Sequence, residues 1–173
     1  MNALLHAAIR LTSLPTLGFH RLMCALCLWR NWDFIDEHVA VGGLPTRHDA
    51  SELARRGVRG VINLCEEFRG PEAEFERLGV KRLRMPTTDY HGPADVDVRR
   101  GLEFIEQHAS GGARVLIHCK AGRKRSPLLA MCWMMRRHGL SPGEAYDAVR
   151  RARPQVDRGL DRHATIRSFV ERR

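Results

Sequence analysis

The sequence predicts a single α/β domain: a mainly parallel central sheet flanked by helices, with an N-terminal helical extension. Three observations lead there. From about Ile35 onward, short β-branched or apolar runs bounded by turn residues alternate with helical patterns. Strands separated by helices need crossover connections, which bring neighbouring strands into parallel register. The chain of 173 residues, 43% apolar and 28% charged, is long enough to bury one core and too ordinary in composition to be disordered or collagen-like.

In chain order, residues 1–32 form the N-terminal helical segment and residues 33–173 the domain proper. No acidic residue precedes Asp33, while Arg10, Arg21 and Arg30 lie among apolar neighbours. Asn2, His6, Arg10 and Ser13 recur on one helical face, with Leu4, Ala8 and Leu11 on another. Pro15 and Gly18 predict a break, and Phe19 to Trp29 a second helix ending beside Trp32. The apolar run Leu22 to Trp29 is far short of the ~18 residues that span a bilayer. No small-residue cleavage pattern follows a hydrophobic stretch, so secretion is not expected. Basic residues and tryptophans edging an apolar helix suit a membrane interface. A helix pair packed on the domain's own core, or an Arg-rich, acid-free mitochondrial presequence, fits the same residues.

Strands are predicted at Val39 to Gly42, Gly60 to Leu64, Val80 to Leu83 and Val115 to His118. Helices are predicted at Ala50 to Arg56, Glu72 to Leu78 and Asp97 to Ala109, the last with the stripe Val98, Leu102, Ile105 and Ala109. Three more follow at Ser126 to His138, Pro142 to Ala152 and Leu160 to Arg172. Leu128 to Met135 is apolar all round, the pattern of a helix in the centre of a fold.

The balance of 29 basic against 20 acidic residues, +9, favours anionic partners: phosphate esters, acidic lipid or nucleic acid. Nucleic acid ranks low, because no strand face combines aromatic with basic residues for stacking bases. Five cysteines at irregular spacing are not a disulfide framework and point to a reducing compartment. Cys24 and Cys27 have C-x2-C spacing without a second pair, in an apolar helical run; they read as buried hydrophobes, as do Cys65 and Cys132. No metal or other cofactor is expected, and nothing in the sequence fixes an oligomeric state.

The most informative stretch is Val115-Leu-Ile-His118-Cys119-Lys120-Ala121-Gly122-Arg123-Lys124-Arg125-Ser126-Pro127. An apolar strand runs into a glycine-containing loop, and the loop into a helix. Unpaired N–H groups and the positive end of the macrodipole at that helix start bind an anion. The same field lowers the pKa of a thiol at Cys119. Arg125 adds a permanent planar fork that grips two oxygens. Gly122 lets the backbone turn and approach the anion. Ser126 either caps the helix or hydrogen-bonds the sulfur, and Pro127 fits a first helical turn.

This strand, loop and helix resemble the H-C-x5-R-S signature of the cysteine-dependent phosphatases, which implies their PTP-like fold and a two-step mechanism without metal. A thiolate at Cys119 attacks phosphorus and water hydrolyses the phosphocysteine, with Arg125, Ser126 and the loop amides assisting. His118, Lys120, Ala121, Gly122, Arg123 and Lys124 are the expected substrate-binding residues, the basic ones at the pocket mouth. The family takes its general acid, an aspartate, from an upstream loop. Asp89, after the third strand, fits best; Asp95 and Asp97 read better as the N-cap and first turn of the next helix. His91 reads as a surface loop histidine.

From Ile35 to Phe169 the chain is similar to the small PTP-like phosphatidylglycerophosphate phosphatases, whose members are mitochondrial and bacterial. The likeness lies in Ile35-Asp36 through Pro45, Gly57 to Leu64, Glu66-Glu67-Phe68, His118 to Arg123 and Ser141 to Ala145. It implies an anionic lipid phosphomonoester as substrate, with a place in phospholipid metabolism on the route to cardiolipin. It also implies peripheral membrane contact through residues 1–32, at the cytoplasmic face of a bacterial membrane or at the mitochondrial inner membrane. Arg69 stands where the subfamily usually closes its Glu-Glu-aromatic loop with an acid, Lys124 replaces a small residue inside the signature and Pro127 a small one after it. Two other readings remain: a dual-specificity protein phosphatase of the same fold, and a phosphoanion or nucleic-acid binder without turnover.

Overall fold

The computed structural model describes residues 3–89 and 91–172, except the side chains of residues 3–13. Asn2 and the side chains of Leu4, His6, Ala8, Arg10, Leu11 and Ser13, used above to define the two helix faces, and Tyr90 lie outside the described residues. Five strands, β1 (Trp32–Phe34), β2 (Val39–Gly42), β3 (Val58–Cys65), β4 (Lys81–Thr87) and β5 (Arg114–His118), form one sheet in the order β1-β2-β5-β3-β4. β1 and β2 pair antiparallel; every other pairing is parallel. The helices are α1 (Ala3–Ala25), α2 (Arg47–Arg55), α3 (Glu72–Arg77), α4 (Asp95–Ser110), α5 (Arg125–His138), α6 (Pro142–Ala152) and α7 (Ala164–Glu171), with a 3-10 turn at Leu160–Arg162.

Alternation along the strands divides the core in two. Val39, Val41, Ile62, Leu64, Val115 and Ile117 face one side and pack with α4, α5, α6 and α7 through Leu102, Leu129, Val149 and Ile166. Ala40, Val61 and Leu116 face the other and meet Ala50 and Leu53 of α2 and Phe75 of α3. Helices therefore cover both faces. Every α5 residue from Arg125 to Met135 is buried, as its all-round apolarity predicts. The Trp133 indole N–H donates to Asp36 Oδ2 at 2.7 Å, tying this central helix to the β1–β2 turn.

The parallel strands all run their carboxyl ends toward one rim. Gly42, Cys65, Thr87 and His118 end β2, β3, β4 and β5 there, the edge where open α/β sheets build binding sites.

The differences from the sequence reading have physical causes. β1 is too short, and too exposed on alternate residues, to carry a strand pattern. β4 extends past the predicted Leu83 through Pro86, which is tolerated because β4 is an edge strand and Pro86 points to solvent. α2 begins before the predicted Ala50 because Thr46 and Asp49 form a reciprocal capping box. The last predicted helix is split: His163 is extended, and its ring accepts from the Thr165 N–H to start α7 afresh. α1 is one helix rather than two, with Pro15 inside it. The helix runs through both residues, and Gly18 faces open space. Cys65 and Cys132 are core residues, but Cys24 is only half-buried and Cys27 is exposed with φ 57°, because the helix ends at Ala25 and the chain turns outward.

Candidate active site

β5 delivers Cys119 to the rim, and the chain from Cys119 to Lys124 curls over it before α5 begins at Arg125. Gly122 has φ +66°, and a Cβ there would come within 2.6 Å of both the Gly42 carbonyl oxygen and Arg153 Nη2. Only glycine fits. The loop's carbonyls are taken up by groups outside it. Lys120 O accepts from the Leu44 N–H at 3.0 Å and Arg123 O from the Asp157 N–H at 2.9 Å. Ala121 O and Gly122 O accept from Arg153 at 3.1 and 2.7 Å. With its oxygens turned away, the loop leaves N–H groups for the interior.

The Cys119 sulfur collects those donors. The Gly122 N–H and the Ser126 hydroxyl each lie 3.3 Å from Sγ. Burial alone would push this thiol up, but Arg125, the Ser126 hydroxyl and N–H and the Gly122 N–H outweigh it and hold it below the ordinary cysteine value. Ser126 thus serves the sulfur and not the helix cap; its hydroxyl also lies 3.2 Å from Gly42 O.

Arg125 is only 2% exposed and is held by a clamp. Nη1 and Nη2 donate to Glu67 Oε2 and Oε1 at 2.8 and 3.0 Å, and Nη1 also to Thr87 O at 2.9 Å. Burial disfavours the Glu67 carboxylate, but the guanidinium and the Cys65 thiol outweigh that and bring its pKa down to about 2. The thiol donates to Glu67 Oε2 at 3.0 Å, and burial pushes its own pKa far up. Cys65 is thus a silent thiol beside a reactive one.

Asp89, on the loop after β4, reaches the same cavity: Oδ1 is 3.1 Å from Arg125 Nη2, and Oδ2 pairs with Lys120. Asp95 and Asp97 both sit in the first turn of α4, whose N-cap is Ala94, and bind elsewhere. Asp95 pairs with Ser168 and Arg172, Asp97 with Arg100. His91 is exposed, its Nδ1 3.3 Å from Asp89 O.

The cavity over Cys119 has a volume of about 230 Å³, and Thr16 of α1, Ala121, Arg123 and Lys124 line it with Cys119, Arg125 and Asp89. A larger cleft of about 540 Å³ beside Trp32 and Arg56 contains no nucleophile. Two expected substrate contacts sit differently from the prediction: Lys120 lines the cavity from within its wall, and His118 does not line it. Lys120 is not a basic residue at an open mouth: it is 3% exposed and paired with Asp89 and, at 3.6 Å, with Glu67. His118 is buried behind the loop, its Cε1 beside the position a Gly70 side chain would take and its Nδ1 3.4 Å from Cys119 O. Burial drives its pKa down to about 4, so the ring is neutral at physiological pH. Arg123 lines the cavity but pairs with Asp157 at 2.7 Å and stacks over Trp29. Among the described residues no group of His, Cys, Asp and Glu could hold a metal.

Sequence reasoning left three participants without a role. Glu67 reads as a polar loop residue, and only its place in the Glu-Glu-Phe stretch marked it. Arg153 and Thr16 reach the site from distant parts of the chain, with no local signal.

A sulfur with a lowered pKa, an amide-lined loop and a clamped guanidinium at the carboxyl rim of a parallel sheet define a cysteine-dependent phosphatase. The dual specificity phosphatase catalytic domain matches residues 42–171, and the chain belongs to that family. The phosphatidylglycerophosphate phosphatase PTPMT2 of Arabidopsis thaliana is 34% identical over 159 residues, 90% of this chain and 70% of that protein. The phosphatidylglycerophosphatase and protein-tyrosine phosphatase 1 of Rattus norvegicus is 35% identical over 135 residues, 73% of this chain and 70% of that one. The crystal structure of PTPMT1 in complex with PI(5)P superposes with a TM-score of 0.74 at 28% identity, covering 82% of this chain and 96% of that one.

Proposed function

We propose that this phosphatase removes the terminal phosphate of a phospholipid headgroup, with phosphatidylglycerophosphate its substrate and phosphatidylglycerol its product. Cys119 attacks phosphorus, Arg125 and the loop amides hold the equatorial oxygens, and Asp89 protonates the departing alkoxide. Water then hydrolyses the phosphocysteine, with Ser126 stabilising the sulfur as it leaves. The residues of α1 act as the membrane-facing segment for the catalytic domain of residues 33–173.

The observation that carries the lipid reading is the surface beside the cavity. α1 contributes Thr16 to the cavity wall and exposes Leu14, Phe19 and Leu22, and the turn that follows it exposes Leu26, each 50% or more. Arg21 anchors the helix to the domain through Leu44 O at 2.5 Å. Apolar side chains beside a basic mouth, on a chain of net charge +9, suit the surface of an anionic bilayer. Among the described residues no helix is long and apolar enough to cross a membrane. The names of the Arabidopsis and rat relatives support the same substrate.

A protein substrate is the second reading, favoured by the rat relative's double name. A phosphotyrosine slot profits from aromatic walls, and among the described residues no aromatic ring lines this cavity. Turnover of phosphatidylglycerophosphate in mixed micelles, measured beside phosphotyrosyl and phosphothreonyl peptides, decides between them. The lipid is expected to be turned over with the higher kcat/KM; clear preference for peptides overturns the assignment.

A further inference from the structure

Arg153 ends α6 at its C-cap and is 0% exposed, one of the largest fully buried side chains in the molecule. A buried guanidinium is tolerated only when its donors are satisfied and its charge is paired. Here Nε donates to Gly122 O at 2.7 Å and Nη2 to Ala121 O at 3.1 Å. Nη1 donates to Arg30 O at 3.2 Å and to Asp33 Oδ2 at 2.9 Å. Asp33, itself buried, is also paired with Arg30 at 2.5 Å. Two of these four acceptors belong to the loop that surrounds the nucleophile.

Peptide planarity gives those two contacts a consequence. A carbonyl and the N–H of the next residue point to opposite sides of one rigid trans plane. Drawing Ala121 O outward onto Arg153 turns the Gly122 N–H inward, where it meets Cys119 Sγ at 3.3 Å. Drawing Gly122 O outward likewise turns the Arg123 N–H toward the cavity. The charge of Arg153 is also within electrostatic reach of the sulfur.

We propose that Arg153 is a positioning residue, which aims the Gly122 and Arg123 amides at the sulfur and the bound phosphoryl group while touching neither itself. The proposal rests on the reading of Cys119 as nucleophile and of its loop as anion cradle, and is independent of the lipid assignment.

The test compares full-length Arg153→Lys and Arg153→Gln with wild type and with Asp33→Asn, which leaves both loop contacts in place. A soluble aryl phosphate, inorganic vanadate as the oxyanion probe and the pH profile of Cys119 alkylation are the readouts, each normalised to folded protein by circular dichroism. Loss of amide donors to a developing oxyanion costs about 10²–10³ in rate. A misaimed pair is expected to lower kcat by about tenfold to a hundredfold, weaken vanadate by about tenfold and move the alkylation midpoint to higher pH. KM is expected to change less, and Asp33→Asn to stay within about threefold of wild type. A folded Lys or Gln variant with wild-type vanadate affinity and alkylation midpoint overturns the proposal, as does activity lost only in proportion to unfolded protein. Cys119→Ser, assayed alongside, separates the failures: turnover that survives it removes the nucleophile and Arg153's role together, whereas turnover lost there with unchanged Arg153 variants removes Arg153's role alone.

Discussion

At the scale of single residues, the site is a balance of charges at short range. Cys119 is buried, which opposes ionisation, and Arg125 with three hydrogen-bond donors reverses that opposition. Removing one donor, as in Ser126→Ala, is expected to raise the pH midpoint of iodoacetamide alkylation and slow dephosphorylation of the phosphocysteine, seen as a larger burst in rapid quench. Arg125→Lys keeps the charge but not the planar fork that both Glu67 oxygens accept. A drop in kcat of about 10²–10³, the scale for losing an oxyanion donor, is expected on any phosphomonoester. Asp89→Ala reads differently, because it removes a proton and not a charge stabiliser. Alkyl phosphates are expected to slow by about 10²–10⁴, the span of general acid catalysis, and aryl phosphates with good leaving groups far less. Equal slowing of both classes would put the acid on another residue.

At the scale of elements, α1 and the strand–loop–helix of β5 and α5 show how far a sequence can be read. The run Val115 to Pro127 was legible because everything it needs is local: an apolar strand, a glycine where φ is positive and a cation a fixed distance along. The Glu67 clamp was not, since its partner Arg125 lies 58 residues away and a carboxylate in a loop carries no mark of burial. Arg153 failed for the same reason, at a separation of 31. β1 failed because three residues, with a buried aspartate in the middle, are too few to show a strand's period. α1 reads as two helices because Pro15 and Gly18 are breakers by propensity, yet the helix runs through both. Its exposed Phe19 and Leu22 give the element its own test. Charged substitution of both, Phe19→Glu with Leu22→Glu, is expected to lower hydrolysis on anionic vesicles by at least about tenfold, given ~1.5–3 kcal/mol for each large apolar side chain buried. Activity on a soluble aryl phosphate is expected to be unchanged. Equal loss on both substrates would make α1 a structural part of the catalytic domain and not a membrane-facing one.

At the scale of the whole molecule, the site sets how the fold responds to acid. Glu67 titrates near 2 in the folded chain against 4.5 when free, so its stabilisation is complete above about pH 4.5 and is lost as pH falls toward 2. His118 titrates near 4 against 6.5. Between those values the unfolded chain binds the proton and the folded chain does not, so stability rises with pH through that window and is fully present above 6.5. Each shift corresponds to on the order of 3 kcal/mol, a large share of the ~5–15 kcal/mol typical of a domain. Two stacked windows predict a melting temperature that falls first between pH 6.5 and 4, through His118, and again below 4.5, through Glu67. His118→Gln is expected to flatten the first slope and leave the second, and Glu67→Gln the reverse, at the expense of stability at neutral pH because the buried Arg125 loses its two-point carboxylate partner and keeps only Asp89. Were the first slope to persist in His118→Gln, another group would carry it. The buried His20 and the half-buried His163, both with pKa values lowered chiefly by burial, are the ones to substitute next.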